Sequence, residues 1–235
     1  MKKKNRHKRI SKRMWQIVQH AARYRLTTKE IVHRLHYAGK QPNAATKAVN
    51  RLCDDDWLRK FPLVYPGQYF VSGPRSVRAL GLPRDRILPL GPQSLPTEFA
   101  VLLYAHSAKK LRRVSPSEVT TVCPWYLKEW TNATHILRMN ESPHVLELIR
   151  VDLGGPADHV ARKCANDVLV RIAAKECRDA IANGLFRVVV VTATTDKAAA
   201  IQLSLESREW PRGLRLHLSV VPELLPLLPR CQNAT

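Results

Sequence analysis

Apolar residues in the first third of the chain recur at helical spacing. Trp15, Val18 and Ala22, with Met14 and Ile17 beside them, predict a helix over 12–22. Ile31, Val32 and Leu35 predict a second over 28–36. Ahead of them Thr27-Thr28-Lys29-Glu30 has the form of a capping box, the Thr27 hydroxyl bonding the N3 amide while Glu30 reaches back. Ala45, Ala48, Val49 and Leu52 predict a third helix over 44–54, with Asn43 as its cap. Strands follow at 57–63 and 68–71, joined by the turn Tyr65-Pro66-Gly67-Gln68, and Gly73-Pro74-Arg75 opens a short helix through Leu80.

Residues 81–94, GLPRDRILPLGPQS, are rich in proline and glycine and read as a linker. Beyond them Phe99, Leu102 and Leu103 predict a helix over 95–111 that ends on Lys109-Lys110, where cations suit the helix dipole. Ser115-Pro116-Ser117-Glu118 is a second capping box with proline at the first helical position. The aromatic run Pro124-Trp125-Tyr126-Leu127-Lys128-Glu129-Trp130 reads as packing against a sheet, or else as a platform for bases of a single strand. Antiparallel strands are expected at 134–139 and 145–152 around the turn Asn140-Glu141-Ser142. A long helix over 157–182 follows, ended by Asn183-Gly184, then a strand at 186–192, a helix and a strand at 214–221. Parallel strands joined by crossover helices make a layered α/β domain. The division is therefore a basic arm at 1–13, a helical module at 14–80, the linker, and an α/β domain at 95–235.

Charge changes the picture more than composition does. Lys and Arg number 39 against 19 Asp and Glu, a formal net charge of +20, which favours a polyanionic partner. The arm MKKKNRHKRISKR has no apolar periodicity, and Lys3, Arg6, Lys8 and Arg9 are candidate phosphate contacts. Five cysteines without a C-x-x-C pair fit buried thiols in a reducing compartment. His33 and His36 with Cys53 lack a fourth ligand, so zinc is not expected. No run of about 18 apolar residues is present and no apolar segment follows the basic start, so neither a membrane helix nor a secretory signal is expected. The expected location is the cytoplasm, on the nucleoid.

Three helices and a β-hairpin follow the winged helix-turn-helix plan, with the third helix as the one that enters the major groove. Asn50 and Arg51 suit base edges. Thr46 and Lys47 suit phosphates or bases, and Asn43 opens the same helix. Arg59, Lys60 and Gln68 on the hairpin are candidate backbone or minor-groove contacts. Asp54-Asp55-Asp56 is expected to end the third helix and to turn away from DNA.

The order of elements resembles the replication-relaxation-like proteins of bacteria and their mobile elements. The likeness is carried by residues 27–80, by the strand 145–152 with Gly154-Gly155 and the helix containing Lys163, and by the strand 186–192 with the helix 195–206. It implies a winged helix joined to a three-layer α/β domain of the restriction-endonuclease, or PD-(D/E)xK, kind. The fold class is then α/β within that domain and α+β overall. It also implies Mg²⁺ held by an acid on each of two neighbouring strands, with a lysine two residues beyond the second acid. The sequence departs from that pattern. Asn132-Ala133-Thr134-His135 offers no first acid; in Glu147-Leu148-Ile149-Arg150-Val151-Asp152 either Arg150 stands in the second acid's place, or Glu147 or Asp152 is that acid and Ile149 or Gly154 stands where the lysine should be. An Arg150–Asp152 pair on one face of the strand, with Glu147 on the other, is the structural expectation. The functional expectation is a non-catalytic, cofactor-free protein that binds double-stranded DNA of a bacterial chromosome or mobile element, in replication, mobilisation or transcription control, with a homodimer as a possible form. Two alternatives stand beside it. One is a Mg²⁺-dependent nuclease using Glu141, Asp152 and Lys163. The other is an RNA-binding or assembly module.

Overall fold

The computed structural model describes residues 10–64, 66–139 and 141–228. Lys3, Arg6, Lys8 and Arg9 of the basic arm lie outside the described residues, as do Tyr65, Asn140 and Cys231. The chain forms two compact units, Met1–Pro89 and Leu90–Thr235. Their boundary falls within the expected linker, which itself contains a 3-10 turn at Arg84–Ile87. No helix among the described residues is long and apolar enough to cross a membrane.

The first unit opens with helix α1, Lys12–Tyr24. Ser11 caps it by accepting from the Met14 amide at 3.3 Å, and its buried stripe is Met14, Ile17, Val18, Ala21 and Tyr24. Trp15 and Ala22, expected inside, are only partly covered. Helix α2 is Lys29–His36, and its cap is Thr28, not Thr27: the Thr28 hydroxyl accepts from the Ile31 amide. Thr27 is unavailable because its backbone exchanges two 2.9 Å hydrogen bonds with Phe70, which holds it extended. Helix α3, Asn43–Asp54, has no side-chain cap, since Pro42 already holds helical dihedrals and Asn43 becomes its first residue. Strands β1 (Leu58–Pro62) and β2 (Gln68–Ser72) pair antiparallel, and α4 is Pro74–Leu80. Gly73 is required here, because a Cβ on it would lie 2.3 Å from the Asp56 carbonyl oxygen. Ile17, Val18, Val49, Leu52 and Phe70 are fully buried where α1, α3 and the hairpin meet, each contributing roughly 1.5–3 kcal/mol by leaving water. Leu35, expected in this core, is 43% exposed.

The second unit is built on one five-stranded mixed sheet. Its elements are α5 (Ser94–Ala105), β3 (Leu111–Val114), α6 (Pro116–Val122), β4 (His135–Arg138), β5 (Val145–Val151), α7 (Ala157–Ile172), α8 (Lys175–Ala182), β6 (Phe186–Thr192), α9 (Thr195–Glu206) and β7 (Arg215–Val220). Strands run in the order β3-β4-β5-β6-β7, antiparallel up to β5 and parallel from β5 to β7. Leu146, Leu148, Val188 and Val190 pack with Ala161, Cys164 and Val168 of α7, Cys177 and Ile181 of α8, and Ile201 and Leu205 of α9. The alternate side chains of the strands face the other way, where Tyr104 of α5 reaches Glu147.

Two expectations fail here. The helix expected over 95–111 ends at Ala105, and Leu111–Val114 is instead the edge strand β3. Its Leu-Arg-Arg-Val sequence has good helix formers, but pairing with β4 and an Arg113–Glu98 ion pair override them. The helix expected over 157–182 breaks at Ala173-Ala174. At about 1.5 Å per residue it would outrun, at about 39 Å, the roughly 23 Å of a seven-residue strand, and the break brings Cys177 and Ile181 back onto the sheet. The capping box at Ser115 forms as expected, with both reciprocal bonds present.

Candidate nucleic-acid interface

Helix α3 turns one face outward because Ala45, Ala48, Val49 and Leu52 are committed to the core. Asn43, Lys47, Asn50 and Arg51 are exposed on that face, and Thr46 is partly covered at its margin. At 100° per residue these five positions fall within an arc of roughly 140°. The Arg51 guanidinium lies 3.8 Å from Asp55, more than half exposed, an attachment that contributes little and leaves Arg51 able to reach a ligand. Asp54 is the exception to the expected placement of the acidic run: it is exposed at the C-terminal end of the same stripe, so the usable surface is confined to the first turns. Asp56 instead closes the turn, in a left-handed conformation with φ 58°.

Beside this stripe lies an open cleft of about 550 Å³ between the start of α1 and α3. Ser11, Lys12, Arg13, Tyr37, Lys47 and Arg51 line it, and no carboxylate does. The Arg13 guanidinium lies over the Tyr37 ring at 5.1 Å. The partial positive charge of the α1 N-terminus adds to these four cations. The hairpin carries the remaining candidates. Arg59 and Lys60 are exposed, but they sit opposite Val71 and Phe70, back from the tip. Gln68, at the base of the turn, is half-buried, and the described tip residues Leu63, Val64, Pro66 and Gly67 carry no charge. His33 bonds to the Lys40 carbonyl at 2.9 Å.

In the second unit, β5 is where a nuclease of the expected kind would hold its acids. Glu147 and Arg150 do point to opposite faces, yet each has a partner that sequence reasoning missed. Glu147 is fully buried and accepts from Tyr104 Oη and Arg138 Nε, both at 2.8 Å, and from Arg187 at 3.2 Å. Burial, with Glu147 alongside, pushes the Tyr104 hydroxyl well above its usual range. The expected Arg150–Asp152 pair does not form. Arg150 donates two 2.5 Å bonds to Asp167 of α7, because the carboxylate on the covering helix faces its fork. Asp152 is buried at the end of β5, accepting from the Gly154 amide at 3.0 Å and the Thr192 hydroxyl at 3.1 Å.

Glu141 lies at the other end of the sheet, beside Arg138, Arg187 and Arg215. The length of β5, roughly 23 Å, separates it from Asp152. Lys163 is exposed on α7. The structure therefore does not bring Glu141, Asp152 and Lys163 together. Among the described residues no three His, Cys, Asp or Glu side chains are grouped as a metal ion would require.

The aromatic run is packed inward. Tyr126 lies against Phe186 at 6.1 Å and Trp130 at 5.5 Å, and Trp125 meets Phe186 edge-on. Beneath it runs a buried polar chain. Arg171 Nε donates to Tyr126 Oη at 2.8 Å, and the hydroxyl lies 2.7 Å from His135 Nε2. The Tyr126 hydroxyl accepts from Arg171 and thus links the buried guanidinium to the imidazole. Burial, reinforced by Arg171, pulls the His135 pKa down to about 3, so the imidazole is neutral. Burial likewise lifts the Tyr126 hydroxyl to about 12. The one sequence signal for these networks was an acid in the apolar run Val145-Leu146-Glu147-Leu148, which demands counterions once buried.

Comparison with protein-family models, with curated proteins and with solved structures yields no match to this chain.

Proposed function

We propose that the chain is a DNA-binding protein whose first unit is a winged helix-turn-helix and whose second unit is a restriction-endonuclease-like domain that serves as a platform without nuclease chemistry. The observation that carries the reading is the outward face of α3, where Asn43, Thr46, Lys47, Asn50 and Arg51 stand together beside the cation-lined cleft. Amides and guanidinium on such a face match base edges, and the lysine and the cleft match phosphates. The bridge between Thr27 and Phe70 supports the winged reading, since it ties the segment before α2 to the hairpin. For the second unit, the antiparallel β3-β4-β5 run followed by parallel β6 supports the nuclease-like plan. The internal bonds of Glu147, Arg150 and Asp152 support a platform, because each polar side chain of β5 already has protein partners. The +20 charge of the whole chain fits the same partner.

The test is duplex binding by fluorescence anisotropy. Lys47→Ala and Arg51→Ala each weaken binding while the fold, followed by circular dichroism, is unchanged. Folded Asp152→Asn binds as the parent does. Binding that ignores both α3 substitutions would refute the reading. Mg²⁺-dependent nicking of plasmid DNA that disappears in Asp152→Asn would replace it with a nuclease.

A further inference from the structure

A second charged cluster, unrelated to α3, stands on the sheet face that α5 shares. Glu147 of β5, Arg187 of β6 and Arg215 of β7 are in register across three parallel strands, so the three side chains stand side by side. Arg138, at the end of β4, joins them. Like charges on adjacent strands are unfavourable unless an anion lies between them. Glu147 supplies that anion for Arg138 and Arg187, and three donors occupy its carboxylate. Arg215 gains nothing from Glu147. Its ion pair is with Glu141, at 3.8 Å.

Glu141 sits on the turn between β4 and β5, about one-third exposed, with Arg138 at 3.6 Å, Arg187 at 3.7 Å and Arg215 at 3.8 Å. All three separations exceed hydrogen-bonding distance. Three guanidinium groups thus converge on one carboxylate without bonding to it directly. The convergence is built into the fold. Glu147 anchors two of the forks from below, and Arg215 lies against Gly184, where a Cβ would come within 3.4 Å of its Nη2. With Glu141 present, three cations face two carboxylates. A carboxylate is too small and too weakly charged to satisfy this arrangement, whereas a phosphate group offers more oxygens and matches several guanidinium forks at once.

We propose that Arg138, Arg187 and Arg215 form a phosphate-binding site and that Glu141 is its displaceable intramolecular occupant. The site is independent of the α3 reading, because none of its residues belongs to the first unit. It accepts a phosphate group when the Glu141 side chain rotates aside, and the carboxylate sets a threshold that weakly charged anions do not pass.

The test uses the full chain carrying Lys47→Ala and Arg51→Ala, so that binding through α3 does not contribute. Isothermal titration measures inorganic phosphate and, separately, a short oligothymidylate, before and after Glu141→Gln. Removing a unit charge a few ångströms from the anion strengthens binding by about tenfold or more in a half-buried site. Adding Arg215→Ala, a half-exposed side chain that anchors nothing in the core, abolishes that gain. A gain for both probes assigns the site to a nucleic-acid backbone. A gain for inorganic phosphate alone assigns it to a small phosphorylated ligand. No gain for either probe, or a gain that survives Arg215→Ala, overturns the proposal.

Discussion

Acidification from pH 7 to pH 5 acts on the second unit through His135. This side chain is 1% exposed, its Nε2 filled by the Tyr126 hydroxyl, and its folded pKa is about 3 against 6.5 when unfolded. A depressed folded pKa contributes stability that is present above the unfolded pKa and lost as pH falls toward the folded one. Between pH 7 and pH 5 the unfolded chain takes up most of one proton at this residue and the folded chain almost none. Integrating that difference gives a loss of about 2 kcal/mol. His217 is lowered in the same direction by burial, so the contribution of His135 must be isolated. The assay is urea unfolding followed by tryptophan fluorescence in a Trp15→Phe/Trp57→Phe background. There the remaining tryptophans, Trp125, Trp130 and Trp210, report the second unit alone. His135→Gln keeps an acceptor for Tyr126 and cannot titrate. The parent should lose about 2 kcal/mol more than His135→Gln across this pH range. Equal losses in the two proteins would refute the burial of a neutral imidazole at this position.

Other substitutions probe the remaining assignments. Thr28→Ala should cost about 1 kcal/mol of first-unit stability by removing the α2 cap. Thr27→Val should be neutral or stabilising, because the buried Thr27 hydroxyl has no hydrogen-bond partner; chemical denaturation of both variants checks the one-residue shift. Glu147→Gln should destabilise the second unit by roughly 3–5 kcal/mol, since it leaves the Arg138 and Arg187 forks facing an uncharged group, and the midpoint of thermal unfolding reads this directly. Asp54→Asn should tighten duplex binding, by removing the one carboxylate on the outward stripe of α3, and an anisotropy titration at low salt measures it.

Periodicity located most elements because the core demands it locally. The stripe of α3, the hairpin and the run Val188–Val191 in β6 follow from their own residues. The failures arose where a distant partner decides. Thr27 looks like a cap until Phe70, far along the chain, takes its backbone. Leu111–Val114 looks like the end of a helix until β4 pairs with it. The outward residues of α3 were legible because the core positions of one helix fix the rest. The ion pairs of β5 were not: Arg150 finds Asp167 and Glu147 finds Tyr104, Arg138 and Arg187 through the packing of other elements, which local spacing does not encode. Asp152, next to Arg150 on its own face, was the nearer choice in sequence and is held by Thr192 instead.

The most direct test of the DNA-binding account is the salt dependence of duplex affinity, parent against Lys47→Ala/Arg51→Ala. With Lys47 on a phosphate and Arg51 on a base edge, the slope of log affinity against log salt should become shallower by about 1, alongside weaker binding at every salt concentration. A folded double variant with the parent's affinity and the parent's slope would contradict the account.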